Sequence, residues 1–256
     1  MRELLRDTFV RLTRSRLRDR AVLAVARDDP APFVSGPLWE RVVRPRTLAN
    51  VKDWPDRLDG FEDLAFLFSS NLLNMGPVLL AIDEAAYLYR LVRGIGPATL
   101  VEIGRYKGGS TLLLAAAMDP AARLYSYDSH REFDVGHHGP EQDRHIAAAL
   151  ERYGLQARVD LVVADSHTVA HPGTCDFVLV DGDHSYDGVR GDYEHWRSAL
   201  RPGAHLLFHD AVERPFMNWE PGVARVVEEI ERDAEVPFER LAGAGSFAHF
   251  VLRTSG

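Results

Sequence analysis

Cysteine is all but missing from this chain of 256 residues, which holds Cys175 alone. A single thiol excludes an internal disulfide framework and a zinc–thiolate cluster. Cys175 opens an apolar run of strand character and is expected in the core. Lysine is nearly as scarce: Lys52 and Lys107 are the only two, so arginine carries the positive charge. No apolar run approaches the roughly 18 residues of a membrane span. The N-terminus is charged throughout and lacks the apolar stretch of a secretory signal, so a cytoplasmic protein is expected. Internal repeats and low-complexity tracts are missing. So are two phosphate-binding signatures, the G-x-G-x-x-G spacing and the G-K-[ST] ending of a P-loop.

The length suits one large domain, or a domain with an appendage. Net charge is −8, unevenly spread: residues 1–46 hold eleven arginines against six acids, leaving about −13 for the rest. A solvated helix face accounts for that basic segment, and no nucleic-acid partner is expected. Residues 1–27 alternate Leu, Val and Phe with Arg at near-helical spacing, which predicts an amphipathic helix ended at Asp28-Asp29-Pro30. Residues 33–60, with three prolines, read as irregular. Phe61 to Arg93 reads as two helices parted near Gly76-Pro77, the second running from Ile82 to Val92. The apolar N-terminal helices leave room for a homodimer.

The most informative stretch runs from Thr99 to Asp128. An apolar strand, Thr99 to Ile103, meets a turn, Gly104-Arg105-Tyr106-Lys107-Gly108-Gly109-Ser110. An apolar helix from Thr111 to Met118 and a second strand ending on Asp128 follow. This is one βαβ unit, and its first turn is where such units take nucleotides. Glycines let backbone pass close beneath a ligand, and the helix start offers free N–H groups. An acid at the end of the second strand, Asp128, is placed to accept ribose hydroxyls. The acid just before the turn, Glu102, suits a ligand with a cationic amino group and sulfonium and is awkward beside a diphosphate.

Here the chain resembles the class I S-adenosylmethionine-dependent methyltransferases. Glu102 to Ser110 matches, in register, the E-x-G-x-Y-x-G-x-S loop of the catechol O-methyltransferase-like, metal-dependent group. It looks closer still to the macrocin-O-methyltransferase-like and cephalosporin-hydroxylase-like relatives. The resemblance covers roughly Ala85 to Leu252. It implies an α/β, Rossmann-like fold: a seven-stranded, mostly parallel sheet with an antiparallel C-terminal hairpin strand, helices on both faces, and an N-terminal helical extension. The expected division is residues 1–84 as extension or lid and 85–256 as methyltransferase domain. The cofactor contacts it implies are Glu102, Gly104, Tyr106, Gly108, Ser110, Asp128, Ser129, Asp165, Ser166 and Asp181, with Asp165 and Ser166 approaching the adenine.

The remaining elements follow in order. Glu141 to Tyr153 reads as a helix capped by Gly154, and Val159 to Val163 as the third strand. Cys175 to Val180 is the fourth, an apolar run fit for burial on both faces. A helix from Tyr186 to Leu200 leads through Arg201-Pro202-Gly203 into a fifth strand, Ala204 to Phe208. A helix from Val223 to Arg232 and a hairpin of Phe238 to Leu241 with Phe247 to Leu252 close the chain. The loop at residues 129–140 holds three histidines without metal-ligand spacing on a helix.

Asp181 and Asp210 end neighbouring strands and would repel each other unless a cation lay between them. Mg²⁺ or another divalent cation suits such oxygen ligands. The resemblance maps both acids onto metal ligands, while the doublet His209-Asp210 departs from its acid pair, so His209 or water supplies the third ligand. A nitrogen there would favour a transition metal. His184 falls where the catechol group carries its general-base lysine, and Asp183 is the competing base. The expected reaction is methyl transfer from S-adenosylmethionine to a small-molecule hydroxyl on a sugar or secondary metabolite, with Trp219 and the loop at 213–221 bordering the acceptor. A cephalosporin-hydroxylase-like protein, or another Rossmann nucleotide-binding protein without methyl transfer, is the alternative; no convincing two-His-one-carboxylate site shows in the sequence to favour the oxygenase.

Overall fold

The computed structural model describes residues 48, 54–68, 77–130, 139–212, 222–233 and 237–253. The helix expected over residues 1–27, most of the histidine loop after Ser129, and Trp219 with its loop lie outside them. The chain divides into two compact units, Met1–Leu79 and Leu80–Gly256. In the first, a 3-10 turn, Phe61–Leu64, runs into a single helical turn, Ala65–Phe68. Asp63 Oδ2 accepts from the Asp59 and Gly60 amides at 2.7 and 3.0 Å, and the Trp54 and Phe66 rings lie 4.8 Å apart.

The second unit alternates helix and strand as α1 (Ile82–Ile95), β1 (Thr99–Ile103), α2 (Gly109–Ala117), β2 (Arg123–Asp128), α3 (Pro140–Arg152), β3 (Val159–Val163) and β4 (Cys175–Val180). It continues through α4 (Tyr186–Trp196), β5 (Leu200–Phe208), α5 (Gly222–Arg232), β6 (Phe238–Leu241) and β7 (Ala248–Leu252). The seven strands form one sheet in the order β3-β2-β1-β4-β5-β7-β6. β1 to β5 run parallel and β7 runs antiparallel between β5 and β6. This is the mostly parallel, Rossmann-like sheet with its closing hairpin that the resemblance implies. No described helix is long and apolar enough to cross a membrane.

β4, at the centre, is buried at every position, as a strand covered on both faces must be. Cys175 lies within it, and burial pushes its thiol up to about 12, an inert core sulfur. Val223, Val226, Val227 and Ile230 form the apolar stripe of α5 that packs into the same core as Trp196, Phe208 and Phe250.

Several boundaries differ from expectation: the helix read as Tyr186 to Leu200 ends at Trp196, and three other shifts have a plain physical cause. α1 continues past Val92 and through Gly94, ending before Gly96, whose φ of 78° no helix continues. α2 begins at Gly109, because Gly108 at φ 79° forms its cap, and a Cβ there would lie 2.2 Å from Ile146 of α3. β5 begins at Leu200 rather than after Gly203. Cys175 pairs with Leu200 and Phe177 with His205, so residues 201–204 form an irregularity in the ladder. Pro202, which has no N–H to donate, is tolerated there.

The register aligns the ligand-facing edge. Ile103 pairs with Tyr127 and Val180, and Val180 with Phe208. The residues that follow these paired positions, Gly104, Asp128, Asp181 and His209, therefore stand in one row. Gly104 N donates to Tyr127 O at 2.9 Å, Asp181 N to Ile103 O at 2.9 Å and His209 N to Val180 O at 3.1 Å. The chain order reverses between β1 and β4, and open α/β sheets bind ligands at that point.

Candidate active site

The glycine turn is pinned to the second strand. Asp128 Oδ2 accepts from the backbone N–H groups of Arg105 (3.1 Å) and Tyr106 (3.3 Å), and Oδ1 from His130 N at 2.8 Å. A carboxylate has about four lone-pair sites, so capacity for a ribose hydroxyl remains. Tyr106 sits at φ 45° and Gly104 at φ 85°, folding the turn tightly over the end of β1. A Cβ on Gly104 would lie 2.3 Å from Asp181 O, so the turn rests directly on the backbone after β4.

Arg105, which sequence reasoning passed over, holds this half together from below. It is buried, grips Asp143 of α3 through Nε and Nη2 at 2.7 and 2.8 Å, and donates from Nη1 to Ser126 O and Val162 O, each at 3.0 Å. A bidentate Arg–carboxylate pair is among the stronger and more directional contacts available.

Glu102 is fully buried, and its Oε2 accepts from Thr111 Oγ1 and Ser126 Oγ, both at 2.6 Å. Burial raises its pKa, and the hydroxyls of Ser110, Ser126 and Thr111 only partly offset that. The carboxylate thus ties β1 to β2 and to the start of α2, and Ser110 is buried beside it.

After β3, Asp165 Oδ1 accepts from His167 N at 3.0 Å and Ser166 O accepts from Trp196 Nε1 at 3.0 Å; Ser129, after β2, is exposed. Asp183 is exposed and spends Oδ1 on the Ser185 amide at 2.9 Å, a local turn at the start of α4. It does not join the cluster described next.

The structure brings Asp181, His184, His209 and Asp210 together. His209 Nδ1 lies 3.0 Å from Asp181 Oδ1 and 3.5 Å from Asp210 Oδ2. His184 Nε2 lies 3.4 Å from Asp181 Oδ1 and 3.9 Å from Asp210 Oδ2. Potential ligand atoms of Asp181, His184 and His209 all fall within 4.8 Å of one another. Two imidazoles and a carboxylate therefore meet here, from two different strand ends, a set that the sequence did not show convincingly. Spacing along the chain could not reveal it, since His184 and His209 converge only through the pairing of β4 with β5.

Beneath the cluster is Glu84 of α1, also fully buried. Its Oε2 accepts from His209 Nε2 at 3.3 Å and Ala81 N at 2.7 Å, and its Oε1 from Ser246 N and Ser246 Oγ, both at 2.7 Å. Burial opposes its charge, but His209, Ser246 and Ala81 together hold its pKa down at about 2. For His209 burial opposes the imidazolium, and Asp181, Glu84 and Asp210 outweigh it, raising its pKa well above the ordinary value. Burial likewise disfavours ionised Asp181, yet the two histidines hold its pKa below the usual carboxylate range.

Residues 101–211 match a family model described as a methyltransferase domain. Among curated proteins, an uncharacterized protein (y4gI) of Sinorhizobium fredii is 29% identical over 132 residues, 48% of this chain. This chain spans 14% of that protein's length. The O-methyltransferase of Bacillus cereus, solved with S-adenosylhomocysteine, is 21% identical over 68% of this chain and 82% of its own, at a TM-score of 0.53. TomG of Streptomyces achromogenes, an O-methyltransferase involved in tomaymycin synthesis and solved with S-adenosylmethionine, is 20% identical over 80% of this chain and 92% of its own, at 0.55. A methyltransferase of Geobacter sulfurreducens is 19% identical over 68% and 81%, at 0.53. These structures share the fold.

Proposed function

We propose that this chain, whose residues 101–211 match a methyltransferase domain model, moves the methyl group of S-adenosylmethionine to a hydroxyl oxygen of a small molecule, a sugar or secondary metabolite. One observation carries the reading. The glycine turn with Asp128 and the Asp181–His184–His209–Asp210 cluster abut at the switch point between β1 and β4, joined where Gly104 rests on Asp181.

The turn between Gly104 and Ser110 receives the cofactor's amino-acid end, Asp128 takes the ribose, and Asp165 with Ser166 border the adenine. Fully buried Glu102 acts beneath the turn, fixing its shape through Thr111 and Ser126.

The donor set of the cluster fits a divalent ion, with Asp181, His209 and Asp210 to hold it. Imidazole among the donors shifts preference from Mg²⁺ toward a transition metal. A bound ion would lower the pKa of an acceptor hydroxyl and fix its oxygen. His184 is the most open of the four, its side chain 25% exposed, and is placed to take the proton. Positioning of the acceptor oxygen against the methyl group then supplies much of the rate.

The experiment is the Asp181→Ala variant, followed by S-adenosylhomocysteine binding and by turnover on a panel of hydroxylated acceptors. Binding kept with turnover lowered by roughly 10²-fold or more is the expected result, as when an electrostatic stabiliser of a reacting oxygen is removed. Unchanged turnover sinks the assignment. A second reading is favoured by the two imidazoles and one carboxylate, a donor set shared with non-haem iron oxygenases. Oxygen consumption by the iron-loaded protein, without methyl transfer, would select it.

A further inference from the structure

We propose that Glu84 is a positioning residue that aims Nδ1 of His209 into the cluster, an outer carboxylate for a divalent metal ion bound by Asp181, His209 and Asp210; this rests on the metal reading given above. Four donors reach its two oxygens: the Ala81 amide and His209 Nε2 on Oε2, the Ser246 amide and hydroxyl on Oε1. Because Nε2–H is committed to Glu84, the nitrogen left to face Asp181 and Asp210 is Nδ1, which lies 3.0 and 3.5 Å from their oxygens. Metal-ligating histidines almost always donate their second N–H to such a partner, which fixes tautomer and ring orientation.

Ser246 carries the same carboxylate's hold to a second ligand. Its hydroxyl donates to Glu84 and accepts from the Asp210 amide at 3.2 Å, while its carbonyl accepts from Ala211 N at 2.9 Å. The loop between β6 and β7 can approach only because residue 245 is glycine. Gly245 has φ 57°, and a Cβ there would lie 2.4 Å from Glu84 Oε1. Helix α1, the β5 end and the hairpin loop thus meet on one buried acid, and both His209 and Asp210 hang from it.

Only an ionised carboxylate can serve, since every one of those four groups offers a proton. Glu84→Gln turns an NH₂ toward one pair of donors and releases either His209 or Ser246. Co²⁺ serves as the probe, its visible absorption reporting ligand geometry and its titration reporting affinity. The expected result is Co²⁺ binding about 10- to 100-fold weaker in Glu84→Gln with an altered spectrum. Tyr87→Phe, on the same helix and bonded to the same hairpin through Ala242 O at 2.9 Å, keeps the wild-type affinity and spectrum. Equal Co²⁺ affinity and spectra in wild type and Glu84→Gln overturn the role of Glu84 while leaving the metal reading intact. No Co²⁺ binding by the wild type overturns both. Should Glu84→Gln fail to fold, ¹⁵N resonances of His209 in Zn²⁺-loaded wild type decide the matter. A proton on Nε2 with Nδ1 bound to the metal supports the proposal; the opposite tautomer, or a ring protonated on both nitrogens, overturns it.

Discussion

Glu102 and Glu84 are the same residue type, equally buried, on opposite sides of one site, and they are driven in opposite directions. Glu102 is hydrogen-bonded by neutral hydroxyls, which do not offset its burial and the nearby charge of Asp181, and its pKa rises. Glu84 meets an imidazole and backbone amides, and its pKa falls to about 2. Burial alone therefore does not decide whether a carboxylate is charged; the donors that face it do. The glycine-turn half of the site is built on a carboxylate bonded to hydroxyls, and the acid–histidine half on alternating charges.

The comparison breaks most visibly at Glu84. Glu84→Ala leaves His209 and Ser246 without their buried acceptor, and a loss of about 3–5 kcal/mol is expected, as for other buried ion pairs stripped of one member. Chemical denaturation at pH 7 measures it, and a loss below 1 kcal/mol would show that His209 is not held as a cation.

His249 tests the neutral side with a base in place of an acid. Its Nε2 receives His205 Nδ1 at 2.8 Å, and its Nδ1 faces the Tyr87 hydroxyl at 2.5 Å. Burial, then His205 and Arg240, lower its pKa to about 4. Between pH 6.5 and pH 4 the unfolded chain binds the proton that the folded one refuses, so stability falls as pH falls through that window. The wild type's advantage over His249→Phe should shrink by about 3 kcal/mol between pH 7 and pH 4. A constant difference would mean that the ring is not kept neutral.

The smallest effect is expected at Glu102. Gln can accept both hydroxyls, which rotate freely, so Glu102→Gln should cost less than about 1 kcal/mol at pH 7. A raised folded pKa means that the folded wild type binds more protons than the unfolded chain above the ordinary carboxylate pKa, so it loses stability as pH rises through that window. The variant lacks this loss and should gain on the wild type between pH 5 and pH 8 in urea melts. A cost equal to that of the same change at Glu84 would erase the contrast.

Much of the fold was readable because β1, β3 and β4 are largely apolar runs, and their order follows from alternating helix and strand. The start of β5 was not, because Arg201-Pro202-Gly203 has the composition of a turn and only the partner strand shows that the ladder continues. In the site, Asp128, Asp181, His184 and the His209-Asp210 pair were visible as strand-end residues. Glu84 was hidden because it reads as an ordinary acid in the first turn of a helix, and its partner Ser246 is 162 residues away. Arg105 was hidden for a similar reason: it fills an open position of the loop pattern, and Asp143, which fixes it, lies on the next helix. Reading Glu84 together with Gly245-Ser246 was the one available signal, and it needs the hairpin folded back first.

Asp210 stands at φ 54°, in the left-handed region that few side chains enter without cost. Aspartate and asparagine tolerate it because their short polar groups bond locally, while β-branched and longer residues do not. The backbone therefore limits which residues can stand here before charge is considered. A protein engineer would find Asn more permissible at this position than Glu, although Glu keeps the charge and Asn discards it. The substitution that looks conservative on paper is the one the chain is least able to accept.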